Sequence, residues 1–232
     1  MATHRTGDEV LQEHKLKMGA ALGAEFNRLW NECAWLHLKW RDYQALFGTN
    51  PARIDLVNSA AGGFFVMADE TMWHDLILHV CRLTDQPTNE GRGRRERLSI
   101  LRLTAQVDPA IHDKVRGRVS KAIKKTKFAR DWRDRHIAHR DFGLAMKQGA
   151  KPLAPASRKR MGEAIEAIAA VLASVEGHYC NTTTAYEHVS RLGDAEALLH
   201  VLRDGVEARH EEMRRLKAGE FPPGGLKPKP PI

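Results

Sequence analysis

Leu22, Phe26, Leu29, Cys33, Leu36, Trp40, Tyr43 and Phe47 recur at alternating steps of four and three, the spacing of a stripe along one face of an α-helix. This seam predicts one long helix that buries the stripe in a core or a dimer contact. Gly48 is its expected stop. Asn50-Pro51 then supplies a capping side chain followed by proline at a first helical position. A second long helix should follow, with Ile54, Val57, Ala61, Phe65, Ala68, Met72, Leu76, Val80 and Leu83 facing inward and a stop before Pro87. No strand-like alternation interrupts these patterns.

Residues 86–97 read as a loop rich in glycine and arginine, with Arg92, Arg94, Arg95 and Arg97. A short helix through Leu98, Leu101 and Ala105 leads to Asp108-Pro109, a second cap-plus-proline start. From there a third long helix is expected to run towards Phe142, with Gly117 as a break point and Gly143 as a stop. A connector over residues 147–156 precedes a fourth helix carrying Met161, Ile165, Ile168, Leu172 and Val175, which the polar run 181–184 ends. Asp194 should cap a fifth, with Leu198, Leu202 and Val206 inside. The fold class expected is therefore all-α, an antiparallel bundle of four to five main helices. Residues 8–218 form its single domain. Five of the ten prolines fall at 222–231, so residues 219–232 read as a disordered proline-rich tail.

Composition adds a bias rather than a class. The chain is 42% hydrophobic and 28% charged, ordinary for a folded globular protein. Its start is polar and no stretch approaches a membrane span, so a cytoplasmic location without membrane attachment is expected. Cys33, Cys81 and Cys180 are odd in number and far apart, which predicts buried thiols rather than a disulfide framework or a thiolate zinc site. Net charge is +8, and the excess is concentrated. Residues 114–140 hold eleven Lys/Arg against only Asp131 and Asp134, a local density that suits a polyanion such as nucleic acid.

Phosphate-loop, dinucleotide-fold and serine-elbow motifs are missing from the sequence. The chemistry-bearing residues that remain cluster at 130–141, Arg-Asp-Trp-Arg-Asp-Arg-His-Ile-Ala-His-Arg-Asp. Arginine offers a permanently charged fork that matches phosphate oxygens. Histidine takes and gives a proton near neutral pH. Together they suffice to cleave RNA without a metal or other cofactor, because RNA supplies its own 2′-hydroxyl as nucleophile.

Arg133-Asp134 followed by Ile137-Ala138-His139-Arg140-Asp141, with Leu83-Thr84-Asp85 and Leu98-Ser99-Ile100 upstream, resembles the HEPN superfamily of helical ribonucleases. Within it the closer likeness is to the U-type abortive-infection (AbiU-like) subgroup, over roughly residues 20–180. The resemblance implies a metal-independent endoribonuclease with a toxin or phage-defence role, a homodimer with a composite site, a cyclic-phosphate product, and an antitoxin or other defence-system partner. On it, Arg133 holds the scissile phosphate, His139 is general acid or base, and Asp134 orients one of them. His136, Arg140 and Asp141 support the site, and Lys121, Lys124, Lys125, Lys127 and Arg130 track the RNA backbone.

Spacing alone does not choose that pair, since Arg130 with His136 and Arg203 with His210 also satisfy it. The Ala-His-Arg-Asp context selects Arg133 and His139. Residues six apart on an ideal α-helix are separated by about 600°, some 120° from a shared face, so this pair needs a helix end or a second chain across a two-fold axis to converge. A metal site from His136, His139 and Asp141 is the weaker reading, lacking a nearby Glu or Cys. The competing functional class is a non-catalytic helical module that binds nucleic acid or nucleotide, or dimerises within a defence system.

Overall fold

The computed structural model describes residues 6–88, 95–189 and 191–221. It is all-α, as the periodicity predicts. The helices are α1 (Gly7–Met18), α2 (Ala20–Phe47), α3 (Pro51–Thr84), α4 (Pro109–Lys125), α5 (Lys127–Trp132), α6 (Phe142–Ala145), α7 (Arg158–Cys180) and α8 (Ala195–Lys217), with 3₁₀ turns at Ile100–Ala105 and Tyr186–His188. Among the described residues the sole β-type pairing is an isolated bridge between Thr88 and Glu96. No helix there is long and apolar enough to cross a membrane. The tail expected to be disordered falls, from residue 222 on, outside the described residues. Two compact units emerge, residues 1–41 with 71–190 and residues 42–70 with 191–232, and α2 and α3 lend residues to both.

In the first unit, side-chain ties fix the helix directions. Glu32 and Lys39 of α2 meet His79 and Asp75 of α3, at 2.9 and 2.6 Å, so rising numbers on one helix face falling numbers on the other. The same order links the second pair of helices. The Tyr179 hydroxyl of α7 takes the N–H of Asp108 at 2.8 Å, Arg118 donates to the Ala170 carbonyl at 2.8 Å, and Lys125 meets Glu163 at 2.7 Å. Both pairs are antiparallel. The predicted seam of α2 is buried along its whole length, as are Met161, Ile165, Ile168, Leu172 and Val175 of α7. Burying such side chains is worth about 1.5–3 kcal/mol each, which makes these stripes the main source of cohesion.

Local chemistry departs from the sequence reading at five places. The polar start forms α1, begun by a capping box in which the Thr6 side chain accepts from the Glu9 N–H while Glu9 accepts from the Thr6 N–H at 2.7 Å. Gly23 lies so close to this helix that a Cβ would stand 2.4 Å from the His14 carbonyl oxygen. The short helix before Asp108 is a 3₁₀ turn, and its three-residue period buries Ile100 and Leu103. The predicted third helix passes through Gly117 but stops at Lys125, and α5 and a π-helical turn over Arg133–Ile137 replace its remainder. In the second unit, α3 kinks at Ala61, whose backbone leaves the helical region. Ile54, ahead of that break, and Ala61, at it, are exposed, not inward.

The second unit gathers Tyr43, Phe47 and Phe65, whose rings lie 5.5 and 6.4 Å apart in sequence order. Asp194 caps α8 as predicted, accepting from the N–H groups of Glu196 and Ala197. The buried positions of α8 are Ala195, Leu199 and Val206, so Leu198 faces out. Arg53 pairs with Glu196 at 2.7 Å and Asp42 with Arg191 at 2.6 Å. Cys33 and Cys81 are buried free thiols and Cys180 is a half-buried one.

Candidate functional site

The end of α4 is set by two buried hydroxyls. Thr126 donates to the Ala122 carbonyl at 2.9 Å and Thr84, the last residue of α3, to the Val80 carbonyl at 2.7 Å, with their oxygens 3.1 Å apart. Such back-bonding to the preceding turn bends or ends helices. Each hydroxyl keeps lone pairs free, and Arg130 uses them. Its guanidinium donates to Thr84 Oγ1 at 2.8 Å, to the Thr84 carbonyl at 2.5 Å and to Thr126 Oγ1 at 3.1 Å. Arg130 thus ties α3 to the α4–α5 junction, and this engagement competes with a role in tracking RNA.

One turn later Arg133 opens the π-helical turn, closed by the Ala138 N–H donating to the Arg133 carbonyl at 2.8 Å. Single π turns inside helices mark functional positions more often than chance. Two carboxylates hold the Arg133 side chain, Asp134 accepting from Nε at 2.7 Å and Asp85 from Nη1 at 2.5 Å. Asp85 also lies 3.5 Å from Arg130 Nε. The Asp134 hydrogen bond chiefly, with Asp85 behind it, raises the Arg133 guanidinium above its ordinary range against the opposing effect of burial. Arg133 remains 25% exposed, and its third nitrogen, Nη2, has no partner among the described residues. Beneath the pair, burial pushes the Cys81 thiol up to about 12, so it stays protonated and unreactive.

This arrangement lines a cavity of about 750 Å³ bounded by Asp85, Arg97, Lys124, Lys127, Arg130 and Arg133 among others. Five cations face one carboxylate there. Arg97 reaches it because its N–H donates to the Pro87 carbonyl at 2.8 Å, closing the loop at its base. Arg92 and Arg94 of that loop lie outside the described residues. Lys121, Lys124 and Lys127 are exposed on the approach, whereas Lys125 is half-buried against Glu163.

His139 is not among the residues lining this cavity. It sits exposed on the bend after the π turn, with Arg140 exposed beside it. Asp141 caps α6 by accepting from the Leu144 N–H at 2.9 Å, which together with Arg135 holds its carboxyl below the usual range. His136 packs edge-on against Trp132 and His74, at 5.4 and 5.6 Å. Among the described residues no three His, Cys, Asp or Glu side chains are grouped to hold a metal ion. Arg203 and His210 lie on α8, where Arg203 meets His200 at 3.0 Å.

Asp85 is the residue to which the sequence reading assigned no role, although Leu83-Thr84-Asp85 was part of the pattern that carried the resemblance. Its signal was its place at a helix end, without the 48-residue reach to Arg133.

No match was found among curated proteins or solved structures. The family model HEPN AbiU2, described as AbiU2, matches residues 19–198, which takes in every helix packed around the Arg133 cavity. By that match and its all-α architecture, the chain belongs to the HEPN AbiU2 family, of HEPN domains related to abortive infection.

Proposed function

We propose that this protein is a metal-independent endoribonuclease that acts as a toxin in phage defence, with Arg133 gripping the scissile phosphate. The observation that carries the reading is the held guanidinium. Asp134 and Asp85 orient Nε and Nη1, and the residue so held lines a cavity of cations suited to the charge that builds on a phosphate. The 2′-hydroxyl of the substrate attacks phosphorus, the 5′-oxygen leaves, and a 2′,3′-cyclic phosphate results. His139 takes the hydroxyl proton or returns one to the leaving oxygen. Both residues must reach one phosphate, and in a single chain His139 lies outside the cavity of Arg133. A two-fold homodimer that brings His139 of one copy to the cavity of the other completes the site. An antitoxin or other defence-system partner then restrains it.

That same placement of His139 favours the second reading, a basic module that binds RNA without cutting it. Purified protein incubated with RNA and EDTA, beside His139→Ala and Arg133→Ala, separates the two. Cleavage abolished by both substitutions is expected. Cleavage surviving both sinks this site, and binding without cleavage in the unsubstituted protein selects the module.

A further inference from the structure

A second cavity, of about 790 Å³, lies on the other side of Lys124 and Lys127, which line both. Its far wall is the stretch 151–155 and the first turn of α7. That stretch has no helical bonds of its own, yet it is stapled in place. Asp131 accepts from the Ala154 N–H at 2.6 Å, Trp132 Nε1 donates to the Ala154 carbonyl at 2.7 Å, and Arg135 donates to the Lys151 carbonyl at 2.6 Å. The segment that presents Arg133 to the first cavity therefore also builds the second.

Charge in this cleft is not balanced locally. Glu163 is taken by Lys125 and its carboxyl is held low by it, and Asp131 is spent on Ala154 and Arg135. Lys124, Lys127 and Lys151 have no carboxylate within salt-bridge distance among the described residues, and Arg160, which donates to the Pro155 carbonyl at 2.7 Å, acts on Glu163 only at longer range. Arg158, Lys159 and Arg160 also crowd the first turn of α7, where the positive end of a helix favours anions over cations. A polyanion in the cleft relieves that repulsion.

We propose that this cleft holds the phosphates of the strand flanking the scissile position of a single-stranded RNA. This rests on the reading of the Arg133 cavity as an RNA site. The strand crosses the Lys124–Lys127 ridge from one cavity to the other, a change of direction that a flexible single strand makes more readily than a stiff duplex. Phe128, the one aromatic lining residue, is buried, so contact is with the backbone and tolerant of sequence.

The test is fluorescence anisotropy of the full chain with labelled oligouridylates, one short enough for the Arg133 cavity alone and one long enough for both, over a salt series. With Lys151→Ala/Arg160→Ala, affinity for the long oligomer should fall roughly tenfold and the salt slope should drop by about 1.4, two lost phosphates at about 0.7 each. Short-oligomer binding should stay unchanged, and the thermal melt should fall by no more than about 4 °C, from loss of the exposed hydrogen bond that Arg160 donates to the Pro155 carbonyl. Equal losses on both lengths, or an unchanged slope on the long one, overturn the proposal. Competition by polyglutamate as strong as by RNA overturns it in favour of an acidic protein partner. Failure of the unsubstituted chain to bind either oligomer sinks the RNA reading as a whole, a result distinct from the other outcomes.

Discussion

Asp85, the residue after α3, accepts a 2.5 Å hydrogen bond from Arg133 Nη1 across 48 positions of sequence. The carboxylate is 17% exposed and the guanidinium 25%, so both have given up much of their water. Asp85→Asn keeps the shape but removes the charge. We expect a loss of about 1–2 kcal/mol in stability, discounted from the fully buried case for residual solvent. If Arg133 acts on phosphate, kcat on RNA should fall more than KM rises, because a loosened guanidinium costs chiefly transition-state stabilisation. Denaturant unfolding and steady-state cleavage measure the two effects, and an unchanged kcat removes Asp85 from the site.

Arg130 separates structure from binding. Its guanidinium donates to Thr84 and Thr126, and hydrogen bonds from charged groups are worth about 1.5–3 kcal/mol. Arg130→Ala should lower the unfolding free energy by roughly 2–4 kcal/mol, more than any change at exposed Lys121, Lys124 or Lys127. Thermal melts of the four alanine variants decide it. A melt for Arg130→Ala as high as for the lysine variants would assign this arginine to RNA after all.

His79 sets a pH dependence. Its ring is fully buried, Lys39 Nζ stands 3.4 Å from Nδ1, and Glu32 lies 2.9 Å from Nε2 without the alignment of a hydrogen bond. Burial, then Lys39 and Arg82, hold the ring down to about 4, with Glu32 and Asp75 opposing. The folded value lies below the unfolded one, so the contribution to stability is complete above about pH 6.5 and is lost as pH falls towards about 4. Its full size is on the order of 3 kcal/mol. Urea titrations at pH 7.5 and 4.5 should show a steeper acid loss for the natural chain than for His79→Leu, and parallel profiles would contradict it.

Gly23 tests the packing of α1. A Cβ there meets the His14 carbonyl at 2.4 Å, and neither backbone can yield without moving a helix. Gly23→Ala should destabilise by about 1–3 kcal/mol despite the better helix propensity of alanine. A variant as stable as the parent, in a calorimetric melt, would show that α1 is not held against α2.

Much of the fold is legible in the sequence. The seam of α2 and the apolar face of α7 repeat a helical period over many turns, and every residue named on both is buried, because a stripe of this period is a local property of the sequence. The caps at Asp108 and Asp194 are likewise local. Thr6-Gly7-Asp8-Glu9 was equally local, and the weak apolar content behind it hid α1. The breaks were harder to read. At Ala61 the following Gly62-Gly63 pair weakens the helix without forbidding it, and at Thr126 it is a hydroxyl pair with Thr84, 42 positions away, that accompanies the stop.

Sequence by itself determined that the chain is helical, that its positive charge gathers at 114–140, and that Arg133, Asp134 and His139 stand in one short run. All three follow from residue type and spacing. Only tertiary structure decided that Asp85 grips Arg133, that Arg130 is drawn into the scaffold, and that His139 stays outside the cavity. Each depends on which distant backbone ends beside the π turn, and side-chain hydrogen bonds across 46 and 48 residues leave no periodic trace in the chain.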